Sequence, residues 1–198
     1  MNGRVASVLW GLPALLIGAG GLSFSAPLLA QGPVPAVVDT APFGFLGFQP
    51  GLPIALLRER ATQLGKGSLD CQRAARDLRL GECRGGLPEL DAGRSVDLWA
   101  SMIDGRAAVL TLSARLPEAR FARWREFLEG RYGVVPEKRQ GPMRMLQWVR
   151  NGRMLRLSWR AKGRDFETSV SMVDGPLLDG WANQGKRPTA APPGSSPR

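Results

Sequence analysis

Apolar residues recur along this chain at two periods. Between Pro117 and Tyr132, the residues Phe121, Trp124, Leu128 and Tyr132 return every three or four positions, the buried stripe of a helix that Gly133 stops. Pro53, the run Ile54 to Leu64 and then Gly65 make a second helix, with proline at its first position and glycine past its end. Elsewhere the period is two. Asp104-Gly105 joins a strand from Ser95 to Ile103 to one from Arg106 to Ala114, and Asn151-Gly152 joins Met143–Arg150 to Arg153–Arg160. Both dipeptides suit the positive φ angles of a type I′ hairpin turn. A last strand, Phe166 to Val173, alternates until Asp174-Gly175-Pro176, which reads as its stop.

The order helix, hairpin, helix, hairpin, strand predicts an α+β fold: an antiparallel sheet of about five strands with two main helices on one face. Leu52-Pro53-x-Ala55 and Leu116-Pro117-x-Ala119 open the two helices alike, so the halves look related, each a helix plus a hairpin. Phe43, Phe45 and Phe48 read as the entry of the chain into the core, and Trp99, Trp124, Trp148, Trp159 and Trp181 as core or edge aromatics. The expected domain spans 43–181, after a Pro-rich linker at 31–42 and before a disordered tail at 182–198.

From Val5 to Val38, through the leader and into the linker, the chain carries no charge, after a start bearing only Arg4. An apolar stretch followed by Leu28-Leu29-Ala30 and Gln31 has the layout of a secretory signal peptide over residues 1–30, cut after a small residue. An uncleaved N-terminal anchor is the alternative. Either places the domain outside a bacterial-type cytoplasm, in the periplasm or secreted. That compartment changes the reading of Cys71 and Cys83, the only cysteines: an even pair in an oxidising setting is expected to form a disulfide, around a short helical turn from Gln72 to Leu80.

Charge is uneven. The chain has 27 basic and 17 acidic residues, and from Lys138 to Arg164 there are nine Lys or Arg and no Asp or Glu. Across a two-residue Asn151-Gly152 loop, Trp148 opposes Leu155 and Leu146 opposes Leu157 on a core-like face. The other face sets Met143, Met145, Gln147 and Val149 against Arg160, Ser158, Arg156 and Met154. Guanidinium forks beside adaptable methionines suit an anion next to an apolar neighbour, and Arg153, Arg156, Arg160 and Gln147 are the expected binding residues. The same arginines also suit a solvated or edge-guarding role. An exported chain meets envelope proteins, acidic polymers and lipid head groups rather than nucleic acid, and a retained leader would add membrane contact.

Nothing in the chain names a reaction. The absence of histidine removes the usual general base and the common nucleophilic triads, the cysteines are expected to be bonded, and no phosphate-binding loop, dinucleotide fingerprint or zinc motif is present. Glu126 and Glu129 lie beside Arg125 on the solvated side of their helix and read as surface ion pairing. The expectation is a non-enzymatic binding or interaction module of the cell envelope, without cofactor or metal. A membrane-tethered structural domain and an enzyme with a histidine-free site are the alternatives.

Overall fold

A computed structural model of the chain describes residues 42–91 and 94–184; the leader, linker residues 31–41 and the chain beyond Gln184 lie outside the described residues. Helix α1 (Ile54–Gly65) is followed by β1 (Ser68–Arg73), β2 (Leu80–Asp91), β3 (Arg94–Ile103) and β4 (Arg106–Pro117). Helix α2 (Glu118–Tyr132) is followed by β5 (Lys138–Gln140), β6 (Met143–Arg150), β7 (Arg153–Lys162) and β8 (Asp165–Asp174), then α3 (Gly175–Gln184). The fold is α+β with one antiparallel sheet, but of eight strands rather than about five, in the order β1-β2-β3-β4-β8-β7-β6-β5. Each half is thus a helix plus four strands, and the last strands of the halves pair at the centre from Val109↔Val173 to Pro117↔Asp165.

The turn chemistry explains the long hairpins. Asp104 (φ 48°) with Gly105 (φ 73°), and Asn151 (φ 50°) with Gly152 (φ 73°), supply the paired positive angles that a two-residue loop needs. The register is then fixed, because a slip of one residue would turn every buried side chain outwards. One row of the buried face runs Cys83, Ala100, Leu110, Met172, Leu155, Trp148, and the next runs Leu98, Leu112, Val170, Leu157, Leu146.

Helices α1 and α2 seal this face. α1 packs against β1 and β2 through Leu57 and Ala61, whereas α2 packs against β4 and β8 through Phe121, Trp124, Leu128 and Tyr132. Phe121 stacks near Trp159 and Phe166 (ring centroids 5.0 and 4.7 Å), and Phe45 meets Trp124 edge-on at 4.9 Å. Phe45 and Phe48 are buried, as core entry requires. They pair across a tight turn, and Tyr132 Oη ties the turn down by accepting from Gly44 N (2.8 Å) and donating to Gly44 O. The indole of Trp148 donates to Gly133 O (2.7 Å), satisfying a polar group at the end of α2.

Several expectations need correction. Gln72 to Leu80 contains no helix: Cys71 and Cys83 are directly opposite on β1 and β2, and their disulfide staples an edge strand to the sheet. Closing so short a loop stabilises the fold by about 3 kcal/mol in the chain-entropy picture. α1 runs through Gly65, and Lys66 (φ 48°) takes the left-handed capping position that glycine was expected to fill. Asp174-Gly175-Pro176 ends β8 and also begins a helix: Asp174 Oδ1 accepts from Leu177 N (3.1 Å) as an N-cap, and Pro176 needs no amide hydrogen there. Residues 182–184, assigned to the tail, therefore belong to α3. Trp124, Trp148 and Trp159 are core, but Trp99 and Trp181 are each 36% exposed.

Candidate functional site

Alternation along the long strands leaves a second face opposite α1 and α2. Its central row reads Asp70, Arg84, Trp99, Thr111, Ser171, Arg156, Gln147 from β1 to β6. A neighbouring row reads Asp97, Ser113, Ser169, Ser158, Met145, and another Ser101, Val109, Val173, Met154, Val149. None of these side chains is fully buried. The face changes character across its width: carboxylates cluster on β1 to β3, hydroxyls occupy β4 and β8, and arginines with methionines occupy β6 and β7. Thr111 Oγ1 and Ser171 Oγ share a hydrogen bond of 3.0 Å across the central pair.

The expected binding residues fall in three different settings. Arg156 sits on this face between Gln147 and Ser171, and its Nε and Nη2 donate to Gln147 Oε1 at 3.2 and 2.9 Å. Its other contact is Met154 Sδ at 3.6 Å, so among the described residues the partners of this guanidinium are neutral. Arg160 lies on the same face but shares Glu167 with Lys162. Arg153 points the other way: Arg153↔Asp174 belongs to the end of the core side, where its Nε and Nη2 bond Asp174 Oδ2 at 3.1 Å. The structure therefore joins Arg156 to Gln147, places Arg160 on the same face four residues along β7, and puts Arg153 on the other side.

The charge excess of residues 138–164 is also partly matched in three dimensions. Glu137 lies 3.6 Å from both Arg139 and Arg144, just before the segment, and β8 brings in Glu167 and Asp174 just after it. Helix α2 pairs Arg125 with Glu129 at 3.0 Å, the surface role expected for that glutamate. Among the described residues no group of three His, Cys, Asp or Glu has metal-ligand geometry, and no helix is long and apolar enough to cross a membrane.

Residues from the first half that sequence spacing did not single out complete the face. Arg84, Trp99, Thr111, Ser113 and Arg115 are carried there by β2, β3 and β4, and Arg115, Arg160, Glu167, Met143, Asp97 and Ser113 line a shallow depression of about 660 Å³. The alternation Asp97, Trp99, Ser101 was the available signal. Glu82 sits below the ordinary carboxylate range because Arg84 and then the Trp99 indole (2.8 Å) hydrogen-bond to it. Glu167 is lowered by Lys162 and then Arg160. Asp77, in the turn between β1 and β2, is lowered by the Arg79 amide and then by Trp181, whose indole donates to it at 3.2 Å.

A carboxylate lowered in the folded state contributes stability that is present above its ordinary value and lost as the pH falls through the folded value. Trp181 emission is therefore expected to stay constant from neutral pH to the ordinary carboxylate range and to change below it, as the neutralised Asp77 loosens the end of α3. Replacing Asp77 by asparagine should remove that acid transition. An unchanged transition would separate it from Asp77.

No family model matches the chain, and no curated protein or solved structure is significantly similar to it. Its functional reading rests on the geometry of this face.

Proposed function

We propose that the chain is an exported, non-enzymatic binding module of the cell envelope, and that the face opposite α1 and α2 is its recognition surface. Arg156, held by Gln147 and flanked by Met145 and Met154, is its centre, and Arg160 stands at its margin. The observation that carries this reading is the unmatched pairing of Arg156. On a sheet where neighbouring basic side chains meet Glu137, Glu167 or Asp174, its fork meets, among the described residues, only an amide oxygen and a thioether. A charge held in place by neutral partners is set to meet a carboxylate or phosphate from outside.

The disulfide fits an oxidising compartment, and the sequence of the leader supports export. The ligand class is an acidic patch on an envelope protein or an anionic envelope polymer or lipid surface. Arg153 drops to a structural role beside Asp174, so the recognition residues reduce to Arg156, Arg160 and Gln147. Photo-crosslinking from Ser158, beside Arg156 on the same face, is expected to capture a discrete envelope component in the native cell. The same crosslinker at Glu126 on the exposed side of α2 should not. Equal capture from both positions would overturn the assignment.

A further inference from the structure

On the helical side of the molecule, the turn at Phe43–Phe48 stands against both α1 and α2 and leaves a cavity of about 340 Å³. Arg60 of α1 and Arg131 of α2 line it together with Phe127, Leu46 and Gln49, and among the described residues no Asp or Glu does. The size lies at the lower end for small-molecule sites. Two guanidiniums without a lining carboxylate give it a positive potential. Arg131 Nη2 donates to Pro42 O at 3.2 Å and its guanidinium lies 5.8 Å from the centre of the Tyr132 ring, while among the described residues its buried Nε has no acceptor. Arg60 lies against Gly47, whose φ of 81° brings the backbone so close that an added Cβ would meet Arg60 Cδ at 3.2 Å.

The rest of the lining is apolar. Phe127 is 43% exposed although it stands on α2 between core positions, and its ring meets Phe45 at 5.8 Å. A half-exposed aromatic ring beside two arginines provides both parts of a site for an amphiphile, a cationic seat and an apolar shelf.

We propose that this cavity binds a small amphiphilic oxyanion, with a carboxylate or phosphate head between Arg60 and Arg131 and an apolar body over Phe127 and Leu46. The site is separate from the recognition face of the sheet and stands or falls independently of it. Calorimetric titration of the intact chain with octanoate and with octyl phosphate is expected to show binding. The tighter of the two identifies the head group. Octanol and octylammonium, which keep the tail and lose the negative charge, should bind at least tenfold more weakly.

Arg60→Gln and Arg131→Gln should each weaken the anion by about tenfold or more, the usual scale for losing a charge-assisted hydrogen bond. Should Arg131→Gln fail to fold, Arg60→Gln on the exposed side of α1 gives the same reading. Absence of binding by both anions, equal binding of octanol, or unchanged affinity in Arg60→Gln would overturn the proposal.

Discussion

Leu157→Ala is expected to cost about 4 kcal/mol of unfolding free energy, whereas Arg156→Gln, one residue away, should change it by no more than about 0.5 kcal/mol. Leu157 is fully buried in the row Leu98, Leu112, Val170, Leu157, Leu146, with neighbours held on both sides by a fixed register. Truncating it leaves a cavity that paired strands cannot close by moving, because any shift breaks ladder bonds on both flanks. Arg156 faces the other way and bonds neutral groups at a half-exposed position. Urea denaturation of the two variants measures the contrast, and similar losses from both would mean that the two faces of β7 are not divided as described.

Asp174→Ala is expected to destabilise the protein by about 3 kcal/mol and to release α3. The Asp174 side chain is 6% exposed and holds three elements at once. Oδ2 accepts two bonds from Arg153, and Oδ1 caps α3 at Leu177 N. Gly51 (φ 80°) makes the space: a Cβ there would come within 2.6 Å of Oδ2. Removing the carboxylate leaves the Arg153 charge without its partner and the first turn of α3 without a cap, effects that separately reach several and about 1 kcal/mol. The 44% exposure of the Arg153 side chain moderates the first. Asp174→Asn retains a capping oxygen, so its Trp181 emission should remain closer to that of the parent than the alanine variant's does. Loss of α3 contacts in both to the same degree would assign the effect to the ion pair alone.

These two positions also show what local sequence conveys. Leu157 and its row were legible because Asn151-Gly152 fixes which residues of β6 and β7 face each other, and alternation then assigns the faces. Helix α2 was legible from proline at its start and a periodic apolar stripe, and α1 from the proline and glycine that bracket it. The ion pairs of Arg153 and Arg160 were not, since they depend on β8 folding back onto β7 around Gly163 (φ 66°), which brings acids from outside the basic segment against it.

Strands β1 and β2 were hidden for a different reason. Ala74, Ala75 and Leu78 favour a helical reading of the loop, and Gly81, Gly85, Gly86 and Pro88 argue against a strand. In the fold, Gly85 is required by pairing itself: a Cβ there would stand 2.1 Å from Ser68 O on β1. Close backbone approach and the Cys71–Cys83 staple override local preference, and neither can be read from a single segment. Strand β5, three residues long, carries too little pattern to be recognised. On the proposed recognition face, Gln147, Arg156 and Arg160 could be named because one hairpin carries them. Arg84, Trp99 and Thr111 join them only through the central β4–β8 pairing, which links residues distant in the chain, from Val109↔Val173 to Pro117↔Asp165.

Arg156 is the charge that the proposed partner meets. The most direct test is recovery of the crosslinked or co-purifying envelope component by Arg156→Glu and Arg160→Glu variants, compared with Arg153→Gln, each with its thermal unfolding midpoint recorded. The account predicts that Arg156→Glu loses the component with its midpoint nearly unchanged, that Arg160→Glu weakens recovery, and that Arg153→Gln keeps the component while its midpoint falls. Full recovery by Arg156→Glu at an unchanged midpoint would contradict it.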